Sequence, residues 1–172
     1  GLKSQNWGRS VGILLLFVAL TYGGSAVFSL ITVGPAGLEG FLSPDTFRVF
    51  LSLPLSFVLS FSCFLGEEYG WRCYFQPLLQ RKFGLIKGVF LFGVLWEFWH
   101  LPLVFCYYSP MTESMSLVQQ LLSRYAINVL MAVFMAYAYG KTHNVWLPVL
   151  IHFTNNTLVG AGETDGGTIT WA

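Results

Sequence analysis

Long apolar stretches are the feature that most limits how this chain can fold. About 20 consecutive apolar residues cross the ~30 Å hydrocarbon core of a membrane as a helix, so candidate spans can be marked by their length. The candidates lie at residues 11–33, 47–80, 85–105, 121–139 and 145–160. The second is predicted to be one long helix, kinked at Pro54 or Gly70. The sequence therefore predicts an all-α, polytopic transmembrane helix bundle with about five spans.

Composition agrees with a membrane setting. The 172 residues are 55% hydrophobic and only 10% charged, whereas about a quarter of the residues of a soluble domain are charged. A formal net charge of +1 and the lack of a basic stripe exclude a nucleic acid as partner, and membrane lipids are expected instead. The three cysteines Cys63, Cys73 and Cys106 are odd in number and lack CxxC spacing, so we interpret them as small core residues.

The organisation predicted along the chain is one helical domain followed by a short tail. Residues 1–160 form the transmembrane domain, residues 106–120 a surface loop within it, and residues 161–172 an irregular tail. The first residue is glycine, so we expect this to be an excerpt of a longer chain with further helices before it. Two basic residues precede the first apolar run as in a signal peptide, but the run continues to Val33, which favours a retained helix.

Basic residues predict which ends of the helices face the cytoplasm. Lysine and arginine occur before the first span, between the second and third, and between the fourth and fifth. Because basic residues in short connections favour the cytoplasmic side, this alternation indicates five spans with the N-terminus inside.

Two carboxylates and an arginine interrupt the second apolar stretch. Ionisable side chains are costly in hydrocarbon unless they are paired or used, so such a cluster is a functional hypothesis by default. Glu68 and Arg72 are four residues apart and can form an ion pair on one helix face. Glu67 lies about 100° away from Glu68 around the helix and is left as a candidate general base. The alternative is a salt bridge that only fixes helix packing.

Two histidines lie in later apolar stretches. His152 and Asn156 share a helix face and could hold a developing oxyanion, or they could serve only as interhelical hydrogen-bonding groups. Measured along the helices from the basic connections, Glu67, His100 and His152 all lie ~16–21 Å deep at 1.5 Å per residue. We therefore expect these three side chains to converge in one layer of the bundle.

Glu97 is an additional acid three residues before His100. We expect it to hydrogen-bond His100 and set the tautomer of the imidazole. The Glu-x-x-His spacing is also half of a dinuclear carboxylate site of the ferritin-like kind. Such a site needs a second copy, but Val149 occupies the position three before His152.

Three motifs on separate spans carry a resemblance to a known family. Glu67-Glu68-x-x-x-Arg72, then Trp96-x-x-x-His100, then His152-x-x-x-Asn156 resemble the pattern of the CPBP family of intramembrane proteases. This family includes the CAAX prenyl endopeptidases and bacterial proteins linked to bacteriocin immunity. The resemblance covers residues 61–156 and is strongest to bacterial members, which implies a bacterial-type cytoplasmic membrane. Trp96 stands where the second motif commonly has phenylalanine.

The resemblance implies hydrolysis of a peptide bond within the membrane, near the cytoplasmic face. It implies six catalytic residues: Glu67 and His100 to activate a water, His152 and Asn156 to stabilise the oxyanion, and Glu68 and Arg72 to orient and neutralise. The substrate would be a peptide or a lipidated protein. A metal-free mechanism is preferred, since Glu67 supplies a base and Asn156 a donor; the alternative is zinc held by Glu67, His100 and His152.

Two other classes of function remain open. One is a non-catalytic membrane scaffold or bacteriocin-immunity protein that keeps the polar cluster for packing or for binding a partner. The other is a pathway for protons or small ions, because buried glutamates and histidines also serve transport. Hydrolysis alone needs the base and the oxyanion donors together, so the sequence favours the protease.

Overall fold

The computed structural model describes residues 6–103, 105–106 and 116–158. Over these residues the chain is helical and contains no strand, which confirms the all-α prediction. The predicted tail at 161–172 lies outside the described residues, as do residues 107–115 of the predicted loop. The end of that loop prediction is wrong, because residues 117–120 already belong to a helix.

The described residues contain seven α-helices, which follow one another in sequence. They are α1 (Trp7–Val18), α2 (Gly24–Val33), α3 (Pro44–Glu68), α4 (Gln76–Phe83), α5 (Leu85–Leu103), α6 (Leu117–Thr142) and α7 (Trp146–Leu158). A π-helical segment, Ala19–Gly23, joins α1 to α2, and a second, Tyr69–Phe75, joins α3 to α4. The predicted long helix is thus confirmed, with Pro54 inside α3 and Gly70 inside the second π segment.

Four helical stretches of the described residues are long and apolar enough to cross a membrane. They are Trp7–Val33, Pro44–Phe83, Leu85–Leu103 and Leu117–Thr142. They correspond to the first four predicted spans, and they make the chain a polytopic membrane protein. Of the fifth predicted span, residues 145–160, the structure describes the 13-residue helix α7, and residues 159–160 lie outside the described residues.

Two compact units make up the chain and are described separately. The first comprises Gly1–Glu68 and Thr142–Ala172, and the second Tyr69–Lys141. In the first unit α7 packs against α1 and α3. The ring of Phe153 on α7 contacts those of Phe57 and Phe64 on α3, with centroids 5.1 and 5.6 Å apart. These edge-to-face contacts fix α7 beside the carboxylate end of α3.

Capping side chains determine where α3 and α7 begin. The Thr46 N–H donates to Ser43 Oγ at 3.1 Å, so Ser43 caps the start of α3. At α7, Asn144 Oδ1 accepts from the N–H of Trp146 at 3.1 Å. The amide nitrogen of the same Asn144 donates to Ser10 Oγ on α1. One buried asparagine therefore both starts α7 and attaches it to α1.

Glycines allow close helix packing in the second unit. A Cβ at Gly88 on α5 would lie 2.5 Å from Gln80 Cα on α4, so only glycine allows this approach. Gly93 similarly meets Val129 on α6, where an added Cβ would lie 2.9 Å from Val129 Cα. Small residues of this kind bring helix backbones together in membrane proteins.

The prediction that the cysteines are core residues is wrong for two of the three. Cys63 and Cys106 are exposed and Cys73 is partly buried, and all three are free thiols. An apolar side chain on a helix that crosses a membrane gains little from facing protein instead of lipid tails, which are equally apolar. Hydrophobicity alone therefore does not place a residue in the core of this chain.

Candidate active site

The segment that carries the two carboxylates coincides with a change in helix type. Glu67 and Glu68 end α3, and from Tyr69 to Phe75 the backbone is π-helical. π-helical turns are rare, and they occur frequently at functional sites. The first motif therefore spans the junction, with its acids on the α-helical side and Arg72 on the π-helical side.

Glu68 and His152 form a buried pair within the first unit. His152 Nδ1 lies 2.9 Å from Glu68 Oε1, and both side chains are almost fully inaccessible. The ring of Phe64 stands edge-on to the imidazole at 5.0 Å. Because a carboxylate accepts, Nδ1 carries the proton, and Nε2 is the ring nitrogen that Glu68 does not bind. This is the arrangement in which a carboxylate fixes the orientation and tautomer of a working histidine.

Glu67, beside this pair in sequence, has an oxygen without a hydrogen bond. Its Oε2 is buried and has no hydrogen-bond partner among the described residues. Leaving a buried acceptor unsatisfied is unfavourable, and such groups in native structures often have a catalytic role or bind water. The role of Glu67 as the general base stays a prediction.

Asn156 lies one turn beyond His152 on α7 and is partly buried. Its Oδ1 accepts from Asn155 Nδ2 at 3.3 Å. The side-chain nitrogen of Asn156 carries the N–H donors, so it is the atom that can donate to an oxyanion. The first unit thus holds Glu67, Glu68, His152 and Asn156 on two packed helices, α3 and α7.

Arg72, in the second unit, is fully buried in an aromatic cage. Its guanidinium carbon lies 4.5 Å from the ring centroid of Phe92 and 4.7 Å from that of Trp96. Nη1 donates to Gln76 Oε1 at 2.9 Å, and Nη2 lies 3.1 Å from Met135 Sδ. Tryptophan is the strongest cation–π partner, so the unusual residue of the second motif has a physical role in holding Arg72.

His100 is held by the backbone of its own helix. Its Nδ1 lies 2.8 Å from the carbonyl oxygen of Trp96, and the ring of Trp99 stands edge-on at 4.8 Å. A carbonyl only accepts, so Nδ1 donates and Nε2 is the basic nitrogen. The expectation that Glu97 sets this tautomer is wrong, because the Trp96 carbonyl does so.

Glu97 instead forms a buried ion pair with α6. Its carboxylate accepts from Arg124 Nε at 2.8 Å, from Arg124 Nη2 at 3.4 Å and from Asn128 Nδ2. The carboxylate is fully inaccessible, and the side chain of Arg124 is 24% exposed. A carboxylate bound to a guanidinium is a poor metal ligand, which argues against the dinuclear alternative.

Two predicted contacts join residues of different units. The Glu68–Arg72 ion pair and the common layer of Glu67, His100 and His152 both stay predictions, since Arg72 and His100 belong to the second unit. Within the described ranges, no group of three or more His, Cys, Asp or Glu side chains is arranged to hold a metal ion. Zinc held by Glu67, His100 and His152 also stays a prediction, because His100 belongs to the second unit.

Comparison with known proteins gives a family. The model of a family described as type II CAAX prenyl endopeptidase Rce1-like matches residues 49–158, more than half of the chain. The CAAX prenyl protease 2 of Methanococcus maripaludis is 49% identical to the chain over 39 residues. That match covers 23% of this chain and 14% of the relative's length. No solved structure matches the chain significantly. All six predicted catalytic residues lie within the span matched by the family model.

Proposed function

Because the chain belongs to the family of Rce1-like type II CAAX prenyl endopeptidases, we propose that it is an intramembrane endopeptidase that hydrolyses a peptide bond with a carboxylate-activated water. The observation that carries the proposal is the buried Glu68–His152 pair next to the unsatisfied oxygen of Glu67. Packing alone needs neither a carboxylate oxygen without a partner nor a histidine oriented by a second carboxylate.

The first step is attack of water on the scissile carbonyl carbon. Glu67 Oε2 accepts a proton from the water as its oxygen bonds to that carbon. His100 is proposed as the second water-activating residue on the basis of its motif, acting through the basic Nε2 that its tautomer provides. The proton taken by Glu67 then passes to the leaving nitrogen, the C–N bond breaks, and a carboxylic acid, which keeps the second proton of the water, and an amine are released.

Stabilisation of the oxyanion is assigned to α7. The amide nitrogen of Asn156 and a protonated Nε2 of His152 are the two donors. A histidine that donates through both nitrogens is an imidazolium, and the Glu68 carboxylate at 2.9 Å from Nδ1 stabilises that cation. Glu68 thereby has a role in catalysis through His152, in addition to the neutralising role that its motif implies together with Arg72.

The substrate is proposed to be a protein or peptide that carries a lipid near the cleaved bond. A helix bundle in the bilayer meets its substrates at the membrane, and a lipid anchor concentrates them there. The matched relative is named a CAAX prenyl protease, and this likeness extends the proposal to prenylated substrates.

The test is cleavage of matched lipidated and unlipidated peptides by the purified full-length protein. Glu67→Gln keeps the size of the side chain but removes its ability to take a proton, so cleavage should fall ~10²–10⁴-fold while the thermal midpoint is retained. Asn156→Ala should lower the cleavage rate by up to ~10²–10³-fold. Glu39→Gln, the same substitution at an exposed site, is the control and should cleave at the wild-type rate.

Two outcomes would direct the assignment elsewhere. If Glu67→Gln folds and cleaves as fast as wild type, Glu67 is not the base and the polar cluster serves packing, as in a scaffold or immunity protein. Elemental analysis of His152→Ala and Asn156→Ala addresses the zinc alternative. Loss of stoichiometric zinc from the histidine variant alone would support a metal-dependent mechanism.

A further inference from the structure

The connection between α4 and α5 combines exposed cations with exposed apolar side chains. We call residues 81–87 the hairpin tip. It carries the exposed cations Arg81, Lys82 and Lys87. Between them Phe83, Leu85 and Ile86 are 43%, 72% and 82% exposed. No acidic side chain of the described residues forms an ion pair with the three cations.

The hairpin tip is a tight turn rather than a long loop. Gly84 alone separates the two helices and has a φ of +85°, which a side chain would disfavour. The N–H of Gly84 donates to Gln80 O, and that of Gly88 donates to Gly84 O, both at 2.9 Å. Next to the turn, Gly88 on α5 lies close to the backbone of Gln80 on α4 and so holds the two helices together. The three cations are therefore displayed on a preorganised backbone.

The surroundings of the hairpin tip follow from the helices that it joins. Pro44–Phe83 and Leu85–Leu103 are both long and apolar enough to cross a membrane, so their shared end lies at a membrane surface. The positive-inside rule places this basic connection on the cytoplasmic side. Side chains such as Leu85 and Ile86 would be unfavourable in water, but the boundary between headgroups and acyl chains accommodates them.

We propose that the hairpin tip is a binding site for anionic phospholipid headgroups of the cytoplasmic leaflet. Phe83, Leu85 and Ile86 enter the upper acyl region, and Arg81, Lys82 and Lys87 bind the phosphates at the level of the headgroups. Lys82 Nζ lies 5.3 Å from the Phe83 ring, so a cation and an apolar side chain already share one face. A basic residue near an anionic surface strengthens binding by roughly 5-fold, which gives about 10²-fold for three. This proposal is independent of the proposed protease activity.

The test compares lipid binding by the full-length protein in detergent micelles and in nanodiscs. Phosphatidylglycerol is titrated against phosphatidylcholine, with binding followed by native mass spectrometry and by the thermal midpoint. Wild type should bind phosphatidylglycerol preferentially and gain thermal stability from it. The triple variant R81Q/K82Q/K87Q should lose about 10²-fold in affinity. Inorganic phosphate at the same concentration should produce neither effect, because it lacks acyl chains.

Single variants make the test sharper. Arg81→Gln, Lys82→Gln and Lys87→Gln should each lose roughly 5-fold in affinity, whether or not the triple variant folds. Arg48→Gln replaces a similarly exposed cation near the start of α3 and should leave binding unchanged. Equal binding of the two lipids, unchanged binding by the hairpin-tip variants, or equal binding of inorganic phosphate would each overturn the proposal.

Discussion

Removing Glu97 and Arg124 one at a time should have unequal effects on stability. Arg124→Leu leaves the fully buried Glu97 carboxylate with Asn128 as its remaining donor. Breaking a buried ion pair by removing one partner costs about 3–5 kcal/mol, because a buried charge is left uncompensated. We expect the loss of unfolding free energy for Arg124→Leu to lie within that range. Glu97→Leu removes the buried carboxylate from Arg124, whose side chain is 24% exposed and can turn toward water or headgroups, so the expected loss of unfolding free energy is about 2–3 kcal/mol.

The double variant tests whether the pair itself stabilises the chain. Replacing both partners by leucine removes two charges as well as their desolvation penalty. The free energy of unfolding of Glu97→Leu/Arg124→Leu should therefore lie within about 1 kcal/mol of the wild-type value. The four proteins form a double-mutant cycle, measured by reversible unfolding in mixed micelles. The coupling energy between the two sites should be several times the ~0.6 kcal/mol average for a hydrogen bond between membrane helices.

A matched control is available at Asp45 and Arg48. Their side chains are 83% and 75% exposed, so the same cycle at this pair should give a coupling energy below about 1 kcal/mol. The reasoning from burial would be refuted if the losses of unfolding free energy at Glu97 and Arg124 were additive. It would also be refuted if Glu97→Leu lost more unfolding free energy than Arg124→Leu.

Two further substitutions test the packing of the second unit. Arg72→Ala removes a fully buried cation together with its contacts to Phe92 and Gln76. It should lower the unfolding free energy by a few kcal/mol. A thermal midpoint equal to that of wild type would show that the aromatic cage is not stabilising. Gly88→Val places a Cβ 2.5 Å from Gln80 Cα and should prevent close packing of α4 on α5, seen as loss of a monodisperse species in detergent. Gly66→Ala, which meets no atom within 4 Å, should be tolerated or slightly stabilising.

The helices could be predicted from the sequence because a bilayer imposes a length on each apolar stretch. Four spans were found in this way. The start of α6 was predicted too late. Its first turn contains Gln119 and Gln120, polar residues that indicate a loop when hydropathy is the only signal.

Contacts within the candidate site were harder to predict than its members. Spacing along one helix predicts neighbours three or four residues away, and it suggested Glu97 as the partner of His100. The partners that the structure gives to Glu97 and Glu68 lie on other helices, 27 and 84 residues away. Such contacts depend on how the helices are rotated against each other, which hydrophobic periodicity indicates poorly when lipid covers most faces.

The attachment of α7 has an implication for how the protein is made. His152 is synthesised 84 residues after Glu68, and Asn144 is synthesised 134 residues after Ser10. At about 5–20 residues per second, several seconds pass between the appearance of the carboxylate and that of its histidine. During this interval the earlier helices are in the membrane without the element that carries His152 and Asn156. A ribosome that stops before α7 therefore leaves a membrane-inserted chain without either of the proposed oxyanion donors, and the proposed activity can begin only once translation has passed Asn156.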